Sequence, residues 1–287
     1  MTKKSLFDSD SDDSNIIDHS GYAYSVGHGV IDFDTGSFAR GGGRPGGGGT
    51  GGGGTGGTTS TYISGDPNVP DSNEYNIKIL FQGTWDPVLK QDFIDCANQI
   101  SKYITGDVPN VSLFGTPVDD IQIKASLVSI DGVGGILGQA GPEYVRVGSY
   151  LPVSATMQFD VADANTYQSL GLFDDIVMHE MLHSVGFGSI WQNKGLIAGA
   201  GTATPTFIGA QATAAYDAAG GIGSPRVEDG GGSGTALSHW DEQTFTNELM
   251  TGYINNPNYL SYMTVASLGD LGYSVVDSGG FTPPTFI

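Results

Sequence analysis

The chain has 287 residues, enough for one catalytic domain of two lobes with a sizeable core, plus a tail. With 11 basic and 31 acidic residues, its formal net charge is −20, so it should repel nucleic acid and anionic membrane surfaces. Cys96 is the only cysteine, which excludes an intrachain disulfide, and no apolar run is long enough to span a membrane.

The first segment, MTKKSLFDSDSDDSN, has two lysines but no apolar core behind them, unlike a cleaved secretory leader. The expectation is a protein that stays inside the cell or leaves by a leaderless route, with leaderless export to the extracellular space favoured. The segment Gly21 to Phe38 carries scattered apolar residues and His28, with His19 just before it. A short docking peptide, a pro-segment and a disordered leader all fit it. Gly41 to Gly57 is almost wholly glycine, broken by Arg44, Pro45, Thr50 and Thr55. Glycine loses the most backbone entropy on ordering and has nothing to bury, so a flexible linker is expected there. Residues 1–73 are therefore assigned to a leader or pro-segment, 74–277 to a catalytic domain and 278–287 to a tail.

Residues 75–83 alternate as a strand does. Asp86 and Pro87 are suited to a helix start, with the helix running to about Thr105. Within it Phe93, Cys96, Ala97, Ile100 and Ile104 recur at helical spacing, making Cys96 a small core residue. Residues 119–130 form a second expected strand, followed by a glycine-rich turn, DGVGGILGQAGP, and a short strand near Val145. Residues 154–161 form a further strand. A helix from Tyr167 to Val185, apolar on nearly all sides, should be buried. The chain then loosens into Gly, Ala and Thr up to about Ala236, and Tyr259 to Leu271 is again helical.

The chemistry is concentrated in His179-Glu180-Met181-Leu182-His183. Positions i and i+4 share one helix face, so both imidazoles can reach one ion. Zinc takes nitrogen ligands at about 2.0–2.1 Å and, at a catalytic site, keeps one position for water. Glu180, beside the first histidine, is placed to act as general base. A buried apolar helix has little use for two histidines and a glutamate unless they serve a site. Two ligands are too few for such a site. Ser189 is chemically unsuited as the third. His19 and His28 lie beyond the glycine run and would reach the metal only as an inhibitory arm. His239 and the acidic residues Glu228, Asp229, Asp241, Glu242 and Glu248 stay open on spacing alone. Cys96 as a thiol capping the metal is a further alternative to its core role.

HEMLHSVGFG resembles the opening of the metzincin signature HExxHxxGxxH. The long insertion before GTALSHWDEQTFTNELMTGY is similar to the pattern of the leishmanolysin family, and the resemblance covers about residues 75–275. It implies an α+β, metzincin-like zincin fold. The N-terminal lobe would hold a mixed twisted sheet and two long helices, and the smaller irregular lobe a Met-turn and a C-terminal helix. It implies a zinc endopeptidase acting on protein or peptide substrates, with one catalytic zinc on His179, His183 and His239 and Glu180 as base. Met250 would form the floor of the Met-turn without ligating. Departures from the family's best-known members are the scarcity of cysteine and the missing secretion signal. IDGVGGILGQAG followed by MQFD is similar to the loop and strand before the active helix in matrix metalloproteases. That likeness makes calcium at Asp131 an alternative to a plain tight turn. Gln139 stands where a second zinc site would need histidine. The strand at 154–161 would border the cleft, with Ala155, Met157 and Phe159 along a free edge open to an extended peptide. Rival readings are a catalytically silent zinc-binding module of the same fold and a small-molecule metal deacylase. An intact Glu180 weighs against the first.

Overall fold

The computed structural model describes residues 23–25, 31–34, 59–232, 234–279 and 281. The glycine run lies outside them, and so do most of the last residues and, apart from two short strands, the rest of residues 1–58. Three strands come from the segment assigned to the leader: β1 (Ala23–Ser25), β2 (Ile31–Asp34) and β3 (Ser60–Ile63). The folded sheet thus draws on chain before Glu74. β3 pairs antiparallel with β4 (Ile77–Gln82), whose burial alternates as the sequence pattern predicts.

α1 (Pro87–Tyr103) begins as expected. The Asp86 side chain accepts from the Val88 N–H, and Pro87 occupies the first turn. Leu89, Phe93, Cys96, Ala97 and Ile100 form its buried face. Cys96 is a core residue facing the backbone of Asp174, and burial holds its thiol well above the usual range. A small hairpin, β5 (Val111–Leu113) and β6 (Thr116–Val118), precedes β7 (Ile121–Val128).

The stretch expected to be a glycine-rich turn is mostly strand. β8 runs from Ile136 to Arg146 and absorbs the short strand expected near Val145. The turn is confined to the residues before Ile136, where Asp160 clamps it. The Asp160 carboxylate accepts from the N–H groups of Ile130, Asp131 and Gly132 at 2.8, 2.9 and 3.0 Å. It also caps α2 through Ala162. Burial raises its pKa, but these four donors win and hold the carboxyl below the usual range. Asp163 accepts from Gly134, and Asp131 itself from Ile136. Each of these carboxylates accepts at least one amide of the loop. The calcium expectation at Asp131 therefore finds no support, and the tight turn is what the structure contains.

β9 (Pro152–Asp160) pairs parallel with β7 and antiparallel with β8, and β4 pairs parallel with β7. The sheet is mixed and seven-stranded, in the order β1-β8-β9-β7-β4-β3, with β2 beside β1 on the outer side of β8. The single helix expected over 167–185 is two: α2 (Val161–Leu170) and α3 (Phe173–Ser184). Gly171, at φ +68°, ends the first in the left-handed conformation that glycine adopts without penalty. The sheet and α1, α2 and α3 meet around Phe93, Phe159 and Phe173, with ring centroids 5.1 and 5.5 Å apart for Phe93–Phe159 and Phe159–Phe173. Each such ring contributes roughly 1.5–3 kcal/mol by burial.

The second lobe is less regular, but it contains elements the composition concealed. These are the hairpin β10 (Ile197–Ala198) and β11 (Thr206–Phe207), α4 (Ala210–Ala218), the short α5 (Glu242–Phe245) and α6 (Tyr262–Leu271), capped by Ser261. Its core is an aromatic cluster in which Trp191 and Trp240 lie 4.9 Å apart and Phe187 and Phe207 pack on both. The whole is α+β, and no helix among the described residues is long and apolar enough to cross a membrane.

Candidate metal centre

α3 carries His179, Glu180 and His183, all fully buried. The helix ends in a Schellman motif: Phe187 N–H reaches the Leu182 carbonyl and Gly186 N–H the His183 carbonyl. Gly186 makes this possible at φ +113°, where an added Cβ would also come within 2.9 Å of Ile190. The motif folds the Phe187 carbonyl back onto the helix, where it accepts from Nδ1 of His183 at 2.9 Å. Ser189, the position excluded as a ligand, donates its hydroxyl to the His183 carbonyl.

His239 arrives from the second lobe, 56 residues beyond His183, and its ring nitrogen meets theirs. The three Nε2 atoms stand 2.9 to 3.1 Å from one another. Each ring turns its other nitrogen to a backbone carbonyl: His179 to Leu249 at 2.8 Å, His183 to Phe187 at 2.9 Å, His239 to Thr235 at 3.0 Å. Those acceptors assign the proton to Nδ1 in all three. Each Nε2 is then a lone-pair atom, and three lone pairs at this spacing repel unless a cation stands among them. Tetrahedral zinc with nitrogens at about 2.0–2.1 Å separates them by roughly 3.3 Å, close to what the side chains present. Burial holds all three imidazoles neutral: His179 and His183 well below the usual histidine range, and His239 down to about 4. For His179 the proximity of His239 adds to burial, and for His183 that of both neighbouring histidines does, since two adjacent rings resist being charged together. Neutral imidazole is the metal-binding form. The three histidines are thus brought together as one group able to hold an ion, and the donor set suits zinc.

Two other carboxylate groupings occur among the described residues: Asp107, Asp119 and Asp120, and Glu228, Asp229 and Asp241. Asp120 spends both oxygens on the N–H groups of Asn76 and Val108, and Glu228 spends both on Gly230 and Glu242.

The chain beyond His239 locks the centre. Leu249 and Met250 are buried, and Trp240 N–H donates to the Met250 carbonyl at 3.0 Å. Glu248, missed as a structural residue in the sequence, accepts from Met250 N–H, Ser261 N–H, and the hydroxyls of Ser261 and Thr264. It pins the Leu249–Met250 segment to α6. Gly188, also missed, sits at φ +66° where an added Cβ would lie 2.0 Å from the Ser238 carbonyl oxygen, one residue before His239.

One expectation is overturned. β9 is flanked on both sides, by β7 and β8, so Ala155, Met157 and Phe159 belong to an interior strand. Their side chains are buried, and none of them lines a free cleft edge. Alternation identifies a strand but not its neighbours. The strand beside the helix is β8. Gly138 lies so close to α3 that a Cβ there would come within 3.1 Å of Glu180 Cγ. Gln139, on the same strand, donates to Gln158.

An HExxH helix and a distant third histidine converge on one point and form a group that could hold a metal ion. Comparison with known proteins adds a likeness. Residues 147–281 match the model of the leishmanolysin family, peptidase M8, and through that segment the chain is similar to leishmanolysins. A leishmanolysin-like peptidase of Drosophila melanogaster is 38% identical over 60 residues, covering 21% of this chain and 9% of that protein. One of Caenorhabditis briggsae is 46% identical over 48 residues, covering 16% and 7%. The aligned segments thus span less than a tenth of either relative. The family match takes in all three histidines, Glu180, Met250 and α6.

Proposed function

We propose that the protein is a zinc-dependent endopeptidase. The reading is carried by three Nε2 atoms facing one another at 2.9–3.1 Å, each made a lone-pair donor by a carbonyl on Nδ1, with Glu180 on the same buried helix. The leishmanolysin match supports peptides as the substrate class. His179, His183 and His239 would hold the ion. Zinc, when bound, supplies a Lewis acid that lowers the pKa of water to about 7 and offsets charge building on a carbonyl oxygen. Glu180 is the general base: it takes the proton from the attacking water and passes it to the nitrogen of the leaving amine. The carbonyls of Leu249, Phe187 and Thr235 orient the three rings and fix their tautomers. Met250 would be the Met-turn methionine, an apolar floor beneath the ligands rather than one of them, in a metzincin-like fold.

The test is cleavage of casein by the purified protein, with and without a chelator, beside Glu180→Ala. Hydrolysis should vanish with chelation and return with zinc. Glu180→Ala should keep stoichiometric zinc while losing at least about 10²-fold in rate. Chelator-resistant cleavage, or a Glu180→Ala rate within tenfold of wild type, would exclude the reading.

A further inference from the structure

The face of the sheet turned away from α3 carries a cavity of its own. On β7, Ile121, Ile123 and Ala125 join the core shared with the helices, so Gln122 and Lys124 point the other way. The β5–β6 hairpin folds over that face, where Val111, Leu113 and Val118 form a small separate core with Val153. Between hairpin and sheet lies a cavity of about 330 Å³, within the range of small-molecule sites. Three features of its lining run against what the fold alone favours. Glu143 and Tyr144 are consecutive, and consecutive residues of a regular strand point to opposite faces. Both line the cavity because β8 is bulged there: Pro142 is opposite Ala155 and Tyr144 opposite Ser154, which leaves Glu143 as the extra residue. Leu113 pairs with Thr116, so Phe114 and Gly115 form a two-residue turn, at φ +51° and +81°. Such a turn favours Asn, Asp or Gly at its first position, yet a phenylalanine stands there, 59% exposed, with its ring edge-on to Tyr144 at 5.2 Å. A bulky side chain at positive φ is strained, and strain of this kind collects at ligand sites. Ser154, also in the lining, is 1% exposed, and its hydroxyl has no hydrogen-bond partner among the described residues. Buried hydroxyls normally have one.

The charges in the lining decide the class of ligand. Lys124 donates to Glu143 at 3.0 Å, and both side chains are partly exposed. A lone anion would meet Lys124 but be repelled by Glu143, and a lone cation the reverse. A molecule with an ammonium and a carboxylate on one carbon answers both, since each charge of the pair gains a partner and neither is left alone. Around the pair the lining is apolar and aromatic, from Leu113, Val118, Phe114 and Tyr144. We propose that this cavity binds a free α-amino acid with an apolar side chain. Lys124 takes the carboxylate, Glu143 takes the ammonium, the Ser154 hydroxyl donates to the carboxylate, and Phe114 and Tyr144 cover the side chain. The site is on the other face of the sheet from the three histidines and does not depend on the peptidase reading.

The experiment titrates L-leucine calorimetrically into the full chain, with zinc present and after chelation. One site should saturate, with the same affinity in both. Leucinamide lacks the carboxylate and N-acetyl-leucine lacks the ammonium. Each should bind at least about tenfold more weakly, the usual worth of a hydrogen bond between charged groups. Lys124→Met and Glu143→Gln should each weaken leucine binding by as much. Phe114→Asn separates binding from folding. Asparagine suits the turn, so the melting temperature should hold or rise, while leucine binding falls at least about fivefold with the loss of the ring. Leucine that binds only when zinc is present sits at the metal centre, and the proposal is wrong. It is equally wrong if leucine does not saturate a site, or if the amide or the acetyl form binds as tightly as leucine. A Phe114→Asn protein that melts lower yet binds leucine as wild type does would make the ring a structural one and overturn the assignment.

Discussion

Gly188→Ala tests whether one backbone contact positions the third histidine. The new methyl carbon would lie 2.0 Å from the Ser238 carbonyl oxygen and 2.8 Å from its carbon, at φ +66°. The conformation alone costs about 1–2 kcal/mol for a residue with a Cβ. Relieving the overlap requires the two segments to part by about 1 Å, a form of overpacking worth about 1–3 kcal/mol. The combined loss is about 2–5 kcal/mol, or a fall of roughly 5–15 °C in melting temperature for a domain of this size. Because Ser238 precedes His239, the same displacement should weaken zinc binding by about 10–100-fold, the usual cost of disturbing a ligand's support. Gly195→Ala is the control: it has the same φ of +66° with nothing within 4 Å of the added carbon. Thermal melts and competition titrations with a zinc-chelating dye on both variants separate strain from clash. If the two variants melt together and bind zinc equally, the Gly188–Ser238 contact does not place His239.

His239→Ala should lose most of its zinc and essentially all hydrolysis, whereas Ser189→Ala, which removes only a hydroxyl donating to the His183 carbonyl, should keep both; metal content of the purified variants decides it. Glu248→Ala would strand four donors in a buried site and should cost about 3–5 kcal/mol in urea unfolding, while a loss below 1 kcal/mol would refute its role as the pin of the Leu249–Met250 segment. Burial, opposed by N–H donors from Asn76 and Val108 and helped by the charges of Asp119 and Asp107, raises Asp120 to about 7. Its folded pKa lies above the unfolded value near 4, so the folded chain holds an extra proton between about pH 4 and 7, and stability falls as pH rises through that window. Wild type should therefore lose melting temperature relative to Asp120→Asn, which stays neutral, as pH is raised from 4.5 to 8, and a constant gap would contradict the shift.

What the sequence disclosed was local. The Asp86–Pro87 start of α1, the i, i+4 histidines of α3 and the core role of Cys96 follow from periods and caps that act within a few residues. What it concealed was long-range. Glycines 138 and 141 read as turn residues, yet they lie within β8, and Gly138 is small because Glu180 and Phe159 crowd it from across the sheet. Alternation in β9 could not tell an interior strand from an edge, since that depends on β8 returning beside it. The break between α2 and α3 at Gly171 was hidden in an unbroken apolar pattern. β3 pairs with β4 from within residues 1–73, which composition had assigned to the leader. At the centre itself, HExxH named two histidines. The carbonyls of Leu249, Phe187 and Thr235 that orient the rings carry no side-chain signature at all.

The 56-residue separation of His183 and His239 has a mechanical meaning in a chain with a single cysteine. An ion joining the two would close a covalent-like ring around the hairpin β10–β11 and α4, as a disulfide does elsewhere. By the loop-entropy relation for cross-links, such a ring removes about 4 kcal/mol of freedom from the unfolded chain. The metal centre would then double as a staple of the second lobe. Chelation should loosen that lobe well before it disturbs the sheet, so that inhibitor and denaturant become the same reagent.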